Sequence, residues 1–187
     1  PYYKLKEETK QIDEYNMSAQ VWSDFEIIDG LHWHVKGAAN YSTVQQSGFS
    51  AQNVCLLLYR DDTVRGYDQP SSLNKKNEQT FYTNLQTYLE YSKKIKQHEI
   101  GAMFGYSNEE NRYNWLSGYR QNFSSPQTPE INAGSPTGQT NGGTSSSWAM
   151  QSLFGRVNYV LNDRYLFEAN LRYDGTSRMA SGNRWGV

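Results

Sequence analysis

A single cysteine, Cys55, leaves this chain unable to form an internal disulfide. It lies in the short apolar run Val54-Cys-Leu-Leu-Leu-Tyr59, where a buried, inert thiol is the expected state. No run of ~18 apolar residues occurs, which excludes a membrane-crossing helix. Neither sign of charge dominates: 18 Lys and Arg against 19 Asp and Glu give a net charge of −1, with no support for nucleic acid as a partner. Pro1-Tyr-Tyr-Lys4 lacks the charged start and apolar core of a signal peptide. The expectation is a cytosolic protein or an internal piece of a larger one. No nucleophile motif, phosphate loop or paired-carboxylate spacing is present. Glu109 and Glu110 are adjacent, and on a strand adjacent side chains face opposite ways. An enzyme is therefore not expected, nor a cofactor. His32 and His34 share strand parity and His98 is a third histidine. With no Cys or carboxylate at matching spacing, no metal site is expected.

What the chain has in quantity is aromatic residues with polar tips and period-two alternation. Fifteen Tyr and five Trp outnumber seven Phe, a balance suited to boundaries between grease and water. In the C-terminal stretch, Leu153, Gly155, Val157, Tyr159 and Leu161 fall on one parity, with Arg156 and Asn158 on the other. After a turn at Asn162-Asp-Arg164, Tyr165, Phe167, Ala169, Leu171 and Tyr173 alternate with Glu168, Asn170, Arg172 and Asp174. Successive strand side chains point to opposite faces, so this reads as an amphipathic hairpin. A second hairpin turns at Asp29-Gly30, with Met17, Ala19, Val21, Phe25 and Ile27 before it and Leu31, Trp33 and Val35 after it. A third joins residues 79–91 to 98–106 through Ser92–Gln97.

Two environments produce such alternation: a soluble sheet with one face in a core, or a membrane barrel with one face in lipid. Mean hydropathy of −0.85 would be decisive against a helical membrane protein but not against a barrel, whose strands are half polar. The connections decide for lipid. Turns within hairpins are short, whereas residues 43–78 and 107–147 read as polar loops, the second including the Ser/Thr/Gly-rich 134–147. Loops of that length are uncommon in compact soluble domains. Short turns alternating with long loops are the outer-membrane layout. About six strands cannot close a membrane barrel, since about eight are needed, and open edges in lipid are costly. The expected fold is all-β: an antiparallel transmembrane β-barrel sector belonging to a larger barrel. The alternative is a secreted or surface β-sandwich that binds carbohydrate as an adhesin module. A small complete barrel would need two more strands, for which Val54–Tyr59 is the one hint.

Leu153-Phe-Gly-Arg-Val-Asn-Tyr159, Asp163-Arg-Tyr-Leu166, Leu171-Arg-Tyr-Asp-Gly-Thr-Ser-Arg178 and Asn183-Arg-Trp-Gly186 resemble the barrel of SusC/RagA-like TonB-dependent transporters of Bacteroidetes. His98–Tyr106, Ile131-Asn-Ala-Gly134 and Ser147–Ser152 fit as well. Met179 departs from the pattern, standing where the family usually has an aromatic. The resemblance implies that residues 1–187 are part of a plugged barrel of about 22 strands in the bacterial outer membrane, with plug, TonB box and signal peptide outside this chain. It further implies TonB-driven import of glycans or peptides, a SusD-like surface lipoprotein as partner, short turns toward the periplasm and long loops toward the exterior.

Two groups of residues are candidates for function. Arg156, Arg172, Asp174 and Arg178 lie on or near the polar parity. They either form a lumenal charge network touching plug or substrate, or a structural ion-pair ladder, the favoured reading, because charges leaving water need partners. Tyr113, Trp115, Tyr119 and Trp148, in or beside the long loop, are either platforms for substrate or, by preference, an aromatic girdle at the lipid headgroups. Trp22, on a polar face, is a further substrate-contact candidate.

Overall fold

The computed structural model describes residues 8–58, 64–125 and 129–187, with backbone alone for Glu8, 53–58 and 64–69. The N-terminal residues Pro1–Lys4 lie outside the described residues, and so does the side chain of Cys55. Among the described residues there are nine strands: β1 (Glu8–Ile28), β2 (Leu31–Ser50), β3 (Asn53–Leu58), β4 (Val64–Gln69), β5 (Ser72–Ile95), β6 (His98–Gln121), β7 (Ser135–Leu161), β8 (Tyr165–Thr176) and β9 (Trp185–Gly186). Seven form one sheet in the order β1-β2-β5-β6-β7-β8-β9, and β3 pairs with β4 separately.

The six expected strands are all there, paired as the three expected hairpins, and β9 adds a short seventh. The third hairpin, β5–β6, turns at Lys96-Gln97. Of Val54–Tyr59, the residues to Leu58 do belong to a strand, β3, but it pairs antiparallel with β4 and takes no place in the larger sheet, and Tyr59 lies outside the described residues. The two long polar loops need correction. β2 runs on to Ser50 and β5 begins at Ser72, while β6 continues to Gln121 and β7 starts at Ser135. Most of what read as loop is strand. The reason is that strand preference reflects packing context more than backbone chemistry, so a Ser/Thr/Gly-rich segment pairs readily once a neighbour offers a ladder. The sandwich alternative fares worse, since it needs two packed sheets and the second sheet among the described residues has two strands.

Turn chemistry closes the hairpins. Gly30 has φ +79, and Asn162 and Asp163 both have φ +54; the Arg164 amide donates to the Leu161 carbonyl at 3.1 Å. Positive φ at both central residues marks the turn that matches strand twist, and Asn and Asp tolerate it. β7 and β8 then pair with Leu153 opposite Tyr173, Gly155 opposite Leu171, Val157 opposite Ala169 and Tyr159 opposite Phe167. The other face pairs Ser152 with Asp174, Phe154 with Arg172 and Arg156 with Asn170.

Contacts divide the chain into two units. The first (1–15, 42–79, 114–145) holds the buried apolar residues found among those described, Leu73 and Phe123. Buried Ser71 ties them: its Oγ accepts from the Phe123 amide at 2.7 Å, and its carbonyl accepts from the Asn122 amide at 2.8 Å. Phe49 meets Phe123 edge-on at 5.5 Å.

The second unit (16–41, 80–113, 146–187) is inverted relative to a soluble domain. Its large apolar side chains are exposed: Val21 is 72% exposed, Phe104 63% and Leu171 64%. Most of them form one band along a single parity of each strand: Met17–Ile27, Leu31–Tyr41, Phe81–Tyr91, Ile100–Tyr106, Leu153–Leu161 and Tyr165–Tyr173; Trp22, Ile28 and Leu166 are exposed on the other parity. Each run is seven to eleven residues long, close to the ~9–11 a tilted strand needs to cross hydrocarbon. Past the band the same parity turns polar, as at Gln79, Asn108, Glu110 and Gln151.

Candidate functional site

The opposite face of the second unit carries most of the charges, and several of them pair there. His34 Nδ1 lies 2.6 Å from Asp24 Oδ1, and its Nε2 lies 3.6 Å from Glu90 Oε2. Its ring stacks on Tyr88 at 4.5 Å. Glu90 in turn faces Arg156 at 3.9 Å. Asp24, His34, Glu90 and Arg156 therefore form one chain of contacts running from β1 to β7. The two faces also separate the histidines: His98 sits on the apolar parity, its Nδ1 2.6 Å from the Tyr159 hydroxyl.

β6 makes this reach possible. On the polar face it presents Gly101 and Gly105, so side chains of β5 and β7 meet over it. A Cβ on Gly105 would lie 2.6 Å from Tyr88 Cβ and 2.5 Å from Phe154 Cε2. Farther along, Arg172 Nε donates to Asp174 Oδ1 at 2.7 Å, and its Nη2 donates to Ser152 Oγ at 3.1 Å. Ser152 is 1% exposed, and it stands directly opposite Asp174. Arg178 leaves this group: its guanidinium lies over the Trp148 ring at 4.3 Å, and Tyr82 flanks that ring at 6.5 Å. Of the four predicted charges, then, Arg172 and Asp174 pair with each other, Arg156 pairs with Glu90, and Arg178 caps an aromatic.

The aromatic candidates are strand residues, not loop residues. Tyr113, Trp115 and Tyr119 stand on β6 and Trp148 on β7. Each shares the polar-face parity of its strand, as does Trp22 with Asp24 on β1. Trp22 is 65% exposed. Tyr113 is half-buried, and the neighbouring Arg112, on the other parity, donates from Nε to Glu110 at 2.7 Å. That hydrogen bond, then the carboxylate charge, raises the Arg112 pKa above its ordinary value.

Within the first unit, Trp115 is half-buried, with Lys76 Nζ 5.2 Å over its ring and Gly142 beside it. A groove of about 820 Å³ adjoins it, lined by Gln11, Asp13, Lys75, Lys76, Glu130 and Asn141 among others. Lys75 Nζ donates to Glu130 at 3.0 Å across it. Tyr119 is half-buried on the same strand. Sequence reading missed this groove and the Asp24–His34–Glu90 chain, because both are assembled by strand register between distant residues. The shared parity of Asp24 and His34 about the Asp29-Gly30 turn was the one available signal.

An antiparallel sheet with its apolar side chains exposed on one face and its charges paired on the other is a sector of a transmembrane β-barrel wall. The family model described as TonB dependent receptor-like, beta-barrel, matches residues 6–186, and the chain belongs to that family. The TonB-dependent receptor SusC of Bacteroides thetaiotaomicron is 56% identical over 36 residues, 19% of this chain and 4% of that protein. TonB-dependent receptor P3 of Formosa agariphila is 24% identical over 185 residues, 95% of this chain and 17% of the receptor. Among solved structures, the RagAB peptide transporter superposes with a TM-score of 0.87 at 16% identity, over 99% of this chain and 20% of that one. The chain thus spans about a fifth or less of the relatives it matches.

Proposed function

We propose that this chain is part of the wall of an outer-membrane active transporter that imports glycans or peptides in a TonB-dependent manner. The observation that carries the reading is the exposed apolar band on six strands that neighbour one another in the sheet, set against a polar face on which Asp24, His34, Glu90 and Arg156 form one chain of contacts. A wall of this kind needs no chemistry of its own. It encloses a polar lumen, in a barrel of about 22 strands, through which cargo passes once a plug rearranges.

The paired charges serve as scaffolding that holds strand register in that lumen. Trp22, Tyr113, Trp115, Tyr119 and Trp148 are the proposed cargo contacts, since all stand on the lumenal parity. TonB acts through a region outside this chain, and a SusD-like surface lipoprotein docks at the ends of the strands away from the short turns. RagAB, the solved relative, is a peptide transporter, which supports peptides beside glycans as cargo.

The experiment is uptake of labelled oligosaccharides and oligopeptides by cells expressing the full-length protein, with and without TonB. One of the two cargo classes should accumulate, and only where TonB is present. Uptake that is unchanged without TonB contradicts the reading.

A further inference from the structure

The apolar band has a dent. On β6, β7 and β8 the outward positions Ala102, Gly155 and Ala169 are small, and Leu89, Phe104 and Leu171 stand around them, leaving a groove of about 720 Å³. Its surface is apolar, as an acyl chain requires.

The rim toward the turns carries an exposed lysine. Lys93 follows Tyr91, which lines the groove, by two residues on β5, so it shares that face about 7 Å farther along. The adjacent lysine shows how unusual Lys93 is. Lys94, on the opposite parity, is neutralised by Asp163 at 3.3 Å and Glu99 at 3.9 Å. Lys93 is exposed and has no ion-pair partner among the described residues. Near it on the same face, His98 and the Tyr159 hydroxyl form a polar pair at 2.6 Å. Between the turns and the groove, no carboxylate shares this parity on β5, β6, β7 or β8; on the β2 side, exposed Asp29 stands in the turn whose Gly30 carbonyl accepts from the Ser92 amide at 2.8 Å.

We propose that this groove is a binding site for an anionic phospholipid, with an acyl chain lying over Ala102, Gly155 and Ala169 and the phosphate at Lys93 and the His98–Tyr159 pair. A single groove fits one chain of a diacyl phospholipid better than lipid A, which carries several chains. The inference rests on the reading that this face meets lipid.

The test uses the full-length transporter purified in detergent and titrated with phosphatidylglycerol, phosphatidylethanolamine or lipid A, with binding read by native mass spectrometry. Heat-modifiable migration checks that each variant has a folded barrel. Wild type should bind phosphatidylglycerol in preference to the other two. K93E should weaken phosphatidylglycerol binding at least about fivefold, the equivalent of one lysine's ~1 kcal/mol at an anionic headgroup, and leave phosphatidylethanolamine unchanged. The groove-filling pair A102F/A169F should weaken both phospholipids. Equal binding of the two phospholipids by wild type, preference for lipid A, or folded variants that bind phosphatidylglycerol like wild type would each overturn the site. Failure of the underlying reading looks different: the full-length protein would remain soluble without detergent and bind none of the three lipids.

Discussion

Tyr88 and Phe154 stand on strands that do not pair, yet their rings lie 6.5 Å apart, meeting over Gly105 of the strand between them. The same strand lets Glu90 approach Arg156 to 3.9 Å. A side chain on β6 at that point would push the two rings apart. Gly105→Val should therefore destabilise the barrel by about 1–3 kcal/mol, the usual cost of overpacking. The check is denaturant unfolding of the refolded full-length protein against wild type. Gly37→Ala is the control, since a Cβ there meets nothing within 4 Å.

The charge ladder should behave differently. The Arg172 and Asp174 side chains are 51% and 44% exposed, and ion pairs at such exposure contribute about 0–1 kcal/mol. Arg172→Gln and Asp174→Asn should each cost less than the Gly105→Val change and leave assembly in the membrane intact. Loss of the barrel from the outer-membrane fraction in either variant would show that these charges do more than hold register.

Turn residues offer a test in the stabilising direction. Asp163 has φ +54, which costs a non-glycine residue roughly 1 kcal/mol, and glycine is preferred at that position of the turn. The substitution gives up the Lys94 contact, but Asp163 is 79% exposed and such a pair contributes little. Asp163→Gly should raise the unfolding midpoint slightly. Gly30→Ala should lower it, because φ is +79 there and a Cβ would collide with the Ser92 carbonyl.

Trp148 separates cargo binding from stability. It lies between Arg178 and Tyr82 at the polar face. Trp148→Ala should weaken cargo affinity about fivefold, as expected for losing ~1 kcal/mol of ring contact, with surface abundance unchanged. Binding assays on the purified transporter with whichever cargo is taken up supply the measurement. Unchanged affinity would return Trp148 to a structural role.

Much of this architecture can be read from alternation alone. Met17–Ile27 and Leu153–Leu161 show their faces by parity, and Asp29-Gly30 and Asn162-Asp163 announce their turns by residue type. The strand extensions could not be read this way. Ser135–Ser147 has no apolar period, and it becomes strand because β6 offers it a ladder. Val54–Leu58 was legible as a strand but not as a separate hairpin, since partner choice depends on β4. The contacts that organise the polar face were the least visible. Tyr88 with Phe154 and His34 with Glu90 depend on strand order, and on a glycine whose importance lies in what crosses over it.

The central claim is that the alternating face of β8 meets lipid. Single spin labels on a cysteine-free, full-length background in lipid nanodiscs, placed successively from Phe167 to Arg172, test it directly through accessibility to oxygen and to a water-soluble nickel chelate. Labels at Phe167, Ala169 and Leu171 should be accessible to oxygen, and labels at Glu168, Asn170 and Arg172 to the chelate. Equal chelate access at all six positions would contradict the claim.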